Sequence, residues 1–326
     1  MPHYLLTGAG FSRNWGGWLA DEAFEYLIGC TELTPHHRNL LWKHRAAGTG
    51  FEGVLQELRD DYTRSPDHHT GIPLQKFDAM LLGMFNTMDF GFGDFEPAQH
   101  ERMGPQPRFL RDFLCRFDAI FTLNQDTLLE RKYKSSDFLE GSRGRWFGFA
   151  SPGLLEENIA GTPYAAPGVF RPADPPFSIP DRCQPYFKLH GSSNWRTLSG
   201  SSLLIMGENK GLQIDGLALL DWYRSKLTEM LSAPNANLMI IGYSFRDQHI
   251  NEIIHTAVTR GLKLFIIDVL GIGVLDKAPH RLNSPTNLRD ELQEGIIGGS
   301  RRPFPASIAT DQVEWSKIKK FFPLFP

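Results

Sequence analysis

The chain has 326 residues, of which 41% are apolar and 22% charged, with 31 glycines and 22 prolines. That length accommodates one large domain or two with a substantial core, and the composition excludes collagen-like and disordered chains. The 34 basic and 37 acidic residues leave a net charge of −3, so no global basic field is available to hold nucleic acid, and direct nucleic-acid binding is disfavoured.

In chain order, the first apolar run is residues 4–7 (YLLT). It meets Gly8, Ala9, Gly10 and Ser12, and residues 18–28 then repeat apolar side chains at helical spacing. This pattern predicts strand, glycine turn, helix. Residues 31–106 are helical and aromatic-rich, including FEGVLQELRDDY and PLQKFDAMLLGMF. They predict an inserted helical module, a candidate lid, in place of another βα unit. Residues 119–123 and 238–241 predict further strands that lead into helices at 127–133 and 248–258. Residues 262–269 predict a fourth strand. Residues 141–185 carry many Gly and Pro and little periodicity, which predicts a long loop. The tail from residue 277 has no assignable pattern. The expected architecture is α/β: a Rossmann-like parallel sheet with helices on both faces and an inserted helical module, its ligand crevice at the carboxyl ends of the strands. A catalytic domain over 1–275 is then followed by an extension over 276–326.

The three cysteines, Cys30, Cys115 and Cys183, form neither a CxxC pair nor a regular even set. They argue against a disulfide framework or a structural zinc site and fit a reducing cytoplasm. The N-terminus lacks a signal-peptide pattern, and no run reaches the roughly 18 apolar residues needed to span a bilayer. Neither export nor membrane insertion is expected.

The chemistry sits where predicted strands end. Gly8-Ala9-Gly10-Phe11-Ser12 either lets main-chain N–H groups approach a pyrophosphate or is a plain strand-to-helix turn. The acidic residue of a dehydrogenase fingerprint, about 20 residues on at the end of a second strand, is missing, so hydride transfer is disfavoured. Asn124 and Asp126, in FTLNQDTLLE, can bond a ribose hydroxyl, a water and an amide N–H; equally, Asp126 can be a helix N-cap and Asn124 a turn residue. His190, in YFKLHGSSNW, is either a structural histidine or a general base, for which an imidazole pKa near 6.5 is suited. Gly242 and Ser244, followed by Asp247, His249 and Asn251, again end a strand, with Ser244 or Asp247 as the alternative helix cap. Asp268 can take a ribose diol or be a loop carboxylate. His36, His37, His68 and His69 have no convergent carboxylates and read as solvated surface.

Four segments in this order, GAGFS, TLNQDTLLE, KLHGS and GYSFRD, resemble the sirtuin family, specifically prokaryotic sirtuin-like NAD-consuming enzymes. The resemblance implies that Gly8, Ala9, Gly10 and Ser12 bind the NAD phosphates and adjoining ribose. It also implies that Asn124 and Asp126 hold the nicotinamide ribose and nicotinamide, and that His190 is the catalytic base. Gly242 and Ser244 would flank the phosphates and the adenosine ribose, with Asp268 on the adenosine side. Two features depart from the protein-deacylating sirtuins: no cysteine follows Cys183, where four zinc ligands are expected, and residues 14–22 read NWGGWLADE in place of Pro-Asp-Phe-Arg. The zinc module is therefore expected to be absent, and no metal is expected. Both departures are similar to those in sirtuin-like subunits of antiphage defence systems. The resemblance thus implies NAD hydrolysis to nicotinamide and ADP-ribose by an effector of antiphage defence, homo-oligomerisation, and activation by assembly or by a separate protein. A lysine deacylase and a non-catalytic NAD or ADP-ribose sensor are the alternatives.

Overall fold

Successive residues of a strand face opposite sides of a sheet, and a parallel sheet covered on both sides must be apolar on both. The central strands satisfy this requirement. A computed structural model of the protein describes residues 1–94, 109–133, 145–157, 168–207, 210–279 and 286–322. Its strands are β1 (His3–Thr7), β2 (Ala119–Thr122), β3 (Gly148–Ala150), β4 (Leu154–Glu157), β5 (Val169–Pro172) and β6 (Cys183–Lys188), followed by β7 (Gly191–Arg196), β8 (Ser202–Leu204), β9 (Asn237–Ile241), β10 (Lys263–Ile267) and β11 (Ile296–Ser300). Seven of them form one sheet in the order β11-β10-β9-β1-β2-β6-β3, and every pairing in it is parallel.

One face of this sheet presents Leu5, Ile120, Tyr186, Met239 and Phe265 to the inserted helices Ala20–Ile28, Pro35–Ala46, Gly50–Arg64 and His68–Asp94. The other presents Leu6, Phe121, Phe187, Ile240 and Ile266 to helices Ala218–Leu231, Gln248–Val258 and Leu288–Leu292. Each such Leu, Ile or Phe contributes roughly 1.5–3 kcal/mol by leaving water. The expected Rossmann-like α/β fold with its helical insertion is the observed one.

Local signals set the helix boundaries. Pro35 opens its helix at the first position, and the Thr34 hydroxyl accepts the His37 N–H, as the first turn of a helix requires. The Asp67 carboxylate accepts the N–H groups of His69 and Thr70 at the head of the 27-residue helix His68–Asp94. The helix expected over 248–258 is present with those bounds. The one expected over 18–28 is present as Ala20–Ile28, starting after the Gly16-Gly17 reversal, and a further five-residue helix, Ala9–Arg13, follows the glycine turn directly.

Two stretches differ from the sequence reading. The Gly/Pro-rich segment holds β3, β4 and β5 and the start of β6 among its described residues, and β4 and β5 join β7 and β8 in a second sheet of order β4-β5-β7-β8. β3, β4 and β5 are three or four residues long and mostly half buried, too short for a visible alternation. The tail supplies β11 to the main sheet, and its Phe304, Ile308, Ile318 and Phe321 enter the core. Residues 95–106 of the expected module, 141–144 and 158–167 of the expected loop, and 280–285 and 323–326 of the tail lie outside the described residues.

The chain leaves β1 toward β2 and β6 on one side and returns through β9 and β10 on the other. The topological switch point therefore lies between β1 and β9, where open α/β sheets hold their ligands.

Candidate active site

All five segments singled out in the sequence follow the carboxyl ends of neighbouring strands. Gly8 follows β1, Leu123 follows β2, Leu189 follows β6, Gly242 follows β9 and Asp268 follows β10. Backbone bonds carry the register past the strand ends: Leu123 N–H to Thr7 C=O, Leu189 N–H to Thr122 C=O, and Gly242 N–H to Ile267 C=O.

At the switch point two glycine turns meet backbone to backbone. Gly8 N–H donates to Ile241 C=O and Gly10 N–H to Gly242 C=O, at 3.0 and 2.9 Å. A Cβ on Gly8 would fall 2.6 Å from Gly242 O, and one on Gly10 2.8 Å from Gly242 Cα. The glycines thus let the turn after β1 approach the turn after β9, while Ala9 is exposed at the rim.

Beside them, Ser12 is buried and links the first two motifs. Its hydroxyl accepts from Asn124 Nδ2 at 2.8 Å, and its nearness draws the Asp126 pKa down against burial. Asp126 Oδ1 also accepts the Leu128 N–H at 3.1 Å, an Asx turn just ahead of helix Leu128–Lys132, whose N-cap is Thr127 and not Asp126 as the alternative reading had it. Gln125, between them, points the other way: its amide donates to His190 C=O and Ile205 C=O at 3.0 and 2.7 Å, and its own carbonyl accepts the Ser193 N–H. Gln125 is therefore the strut that fixes the backbone of His190 against the Asn124 loop.

His190 stands at the joint where the chain passes from β6 of the main sheet into β7 of the small one. The turn requires Gly191, whose φ is +74° and whose Cβ would lie 2.1 Å from Leu203 O. The His190 side chain is 3% exposed and Nε2 lies 3.2 Å from His249 Nε2. Burial pushes the His190 imidazole down to about 3 and that of His249 to about 4, so both rings are neutral at pH 7. The N-cap of helix Gln248–Val258 is Asp247, yet its side chain does not cap; its Oδ1 pairs with Lys210 at 2.9 Å, and Lys210 also reaches Glu52 of the inserted module. Burial opposes the charge on Lys210, but these two carboxylates outweigh it and hold its pKa above the ordinary lysine value. His190, His249 and Asp247 bring three donor atoms within 4.8 Å of one another, a spacing a cation can bridge. The Lys210 ammonium already occupies Asp247 and works against a metal there.

Ser244 is exposed beyond the turn. The next residue, Phe245, is fully buried at φ +56°, a left-handed conformation costly for a bulky side chain. Asn251 holds it there, donating to Phe245 C=O at 2.8 Å while accepting from Tyr243 OH. The Asp268 carboxylate accepts the Leu270 N–H, and burial raises its pKa. Of the four other histidines weighed in the sequence, His36, His68 and His69 are exposed. His37 corrects the surface reading: it is buried, stacked on Phe77 and bonded to Thr34 Oγ1 and Pro73 C=O.

Three further polar residues close the site from behind. Lys188 is fully buried in β6, its ammonium bonded to Asp126 C=O and to Glu130 Oε1, the latter at 2.8 Å. Asp89 of helix His68–Asp94 accepts the Thr127 N–H at 2.9 Å and the Ser193 hydroxyl, tying the inserted module to both loops. Burial raises the pKa of Asp89. Each had a sequence signal: Lys188 is a charge inside the apolar run YFKL, and Asp89 lies in the otherwise apolar stretch FNTMDF. His249 follows Asp247 at a spacing of two. Lys188→Met should destabilise the protein by about 3 kcal/mol, because the half-buried Glu130 carboxylate loses its cationic partner and the Asp126 carbonyl its donor; urea unfolding measures it, and an unchanged midpoint would remove Lys188 from this role.

Burial pushes the Asp126 carboxyl up to about 6, against the pull of Lys188 and its hydrogen bonds. A carboxyl whose folded pKa is raised contributes stability that is complete below its unfolded value, near 3.9, and is lost as pH rises through about 6. Asp126→Asn cannot ionise, so its stability relative to wild type should improve by about 3 kcal/mol between about pH 4 and about pH 7. Unfolding curves across that range check it, and a pH-independent difference would contradict the raised pKa.

The fold and this crevice define a Rossmann-like α/β architecture. Residues 118–263 match the family model of the SIR2-like domain. The match covers somewhat under half of the chain and supports a sirtuin-like family for this part. It takes in Asn124, Asp126, His190, Gly242 and Ser244, while the glycine turn after β1 and Asp268 lie outside it. A SIR2-like domain connects the protein with NAD-related activity. No curated protein matches the chain significantly. Among the described residues, no helix is long and apolar enough to cross a membrane.

Proposed function

We propose that the protein is an NAD+ glycohydrolase that cleaves the bond between nicotinamide and ribose to give nicotinamide and ADP-ribose. The observation that carries this reading is the convergence of Ser12, Asn124, Asp126 and His190 on the carboxyl ends of three adjacent parallel strands, with Ser12 bonded to Asn124 at 2.8 Å. In this reading the two glycine turns, with Gly8, Ala9, Gly10, Gly242 and Ser244, border the pyrophosphate, and Asp268 borders the adenosine ribose.

At the reacting end the C1′–N bond breaks with its electron pair leaving on nicotinamide, and the ribose passes through an oxocarbenium-like state. Asn124, oriented by Ser12, positions the ribose and the attacking water, and Asp126 engages the nicotinamide amide. His190, neutral at pH 7, accepts the proton the water loses. The lowered pKa keeps His190 unprotonated at pH 7 and makes it a weaker base than the free imidazole near 6.5 that suits this role.

The sequence resemblance to sirtuin-like defence subunits supports a further reading, in which the protein is a cytoplasmic effector of prokaryotic antiphage defence. Such an effector works as a homo-oligomer and is switched on by assembly or by a separate protein. The test incubates purified protein with NAD, with and without an acetyl-lysine peptide, and follows nicotinamide and ADP-ribose by chromatography. Peptide-independent release of both is expected. Release only with peptide, with an O-acetylated product, would make the protein a deacylase; NAD binding without any release would leave a sensor or a hydrolase awaiting its activator.

A further inference from the structure

His190 does not face its surroundings alone. Its Nε2 is 3.2 Å from Nε2 of His249, with the ring centroids 5.3 Å apart. Two imidazole nitrogens at hydrogen-bond distance share one proton: one ring donates and the other accepts, since two bare nitrogens or two N–H groups would repel. His190 is buried at the joint of the two sheets, whereas His249, in the first turn of helix Gln248–Val258, lines a groove of about 320 Å³ against helix Ala218–Leu231. Arg224, Ser225, Thr228, Glu252 and Thr256 form the rest of the polar lining. The pair is therefore a hydrogen-bonded connection between the buried histidine and an open groove formed by helices on the second face of the sheet.

We propose that His249 is the positioning residue of His190 and the outlet for its proton, carrying to the groove between helices Ala218–Leu231 and Gln248–Val258 the proton that hydrolysis releases. This rests on the NAD glycohydrolase reading. The step balances as follows. Water attacking C1′ loses a proton to His190 Nδ1, His190 passes its Nε2 proton to His249 Nε2, and His249 releases its Nδ1 proton to water in the groove. His190 ends neutral in its other tautomer and is reset by exchange once the products leave. The net result is the one proton that hydrolysis of NAD+ liberates.

The charges around the pair suit passage over storage. Asp247 favours a proton on either ring, while Lys210, bonded to Asp247 and Glu52, and Arg224 on the groove wall oppose it; Glu252 faces the groove itself. Burial keeps both rings neutral at rest, and His249 is the less buried of the two.

The test compares His249→Ala and His249→Gln with wild type by kcat, KM and pH profile of nicotinamide release, with and without added imidazole. Glutamine keeps a hydrogen bond to His190 but carries no proton. Both variants should lose about 10²-fold in kcat with KM nearly unchanged, and imidazole entering the groove should recover about tenfold in His249→Ala and nothing in His190→Ala. A His249→Gln variant with the wild-type rate and pH profile would overturn the outlet and leave a purely structural contact. In parallel, ¹⁵N imidazole NMR of the resting protein should show one protonated and one bare Nε2 in the pair, and two of the same kind would overturn the shared proton. A wild-type protein that releases no nicotinamide in its assembled, activated form would instead overturn the hydrolase reading, and the proton route with it. Active wild type with unaffected His249 variants overturns the route alone.

Discussion

Asn124→Ala and His190→Ala should each reduce nicotinamide release by about 10²-fold or more, the range lost when a positioned acid–base or orienting group is removed. The two losses should differ in kind. Asn124 Nδ2 is bonded to Ser12, so its removal frees one hydroxyl and leaves the backbone in place, where Asn124 N–H already bonds Thr122 Oγ1. NAD should still bind and the melting temperature should barely move. In His190→Ala the backbone remains clamped by Gln125 and Ile205, but His249 loses its partner, and the pH dependence of any residual rate should change with it. Turnover undiminished in both variants, measured on folded protein, would remove these residues from the reaction.

Gly242→Ala should cost about 4 kcal/mol or more, in the range reserved for core disruption. Its φ is +62°, and a Cβ there would lie 2.3 Å from Phe11 N and 2.4 Å from Gly10 C, atoms of a backbone that cannot step aside. The control is Gly48→Ala: φ is +76° and nothing lies within 4 Å, so only the left-handed conformation is penalised, at about 1–2 kcal/mol. Urea unfolding of the two variants separates conformational cost from collision. Equal losses would mean that the contact between the turns after β1 and β9 contributes nothing beyond backbone strain. The expected difference also bears on NAD, since displacing either turn moves Ser12 and, through it, Asn124.

The strand-end positions of Gly8, Asn124, His190, Gly242 and Asp268 were legible in the sequence, because apolar runs of strand length, each followed by small polar residues, leave few other readings. The pairing of these strands into one parallel sheet followed from their alternation with helices. Short half-buried strands such as β4 and β5 carry too few residues to display a period, and the edge strand β11, IIGGS, owes its place to Leu264 and Ile266 alongside it more than to its own composition. What the sequence by itself determined is the set of chemical groups and their order along the chain, since those follow from local pattern. Which groups meet was decided by the tertiary structure. Gln125 turned to His190 while its neighbours Asn124 and Asp126 turned to Ser12, Lys188 became a buried cation beneath Asp126, and His249 came within 3.2 Å of His190 from 59 residues away. Contacts of that kind depend on strand order and register, which no local propensity encodes, because a one-residue slip would turn each of these side chains to the opposite face.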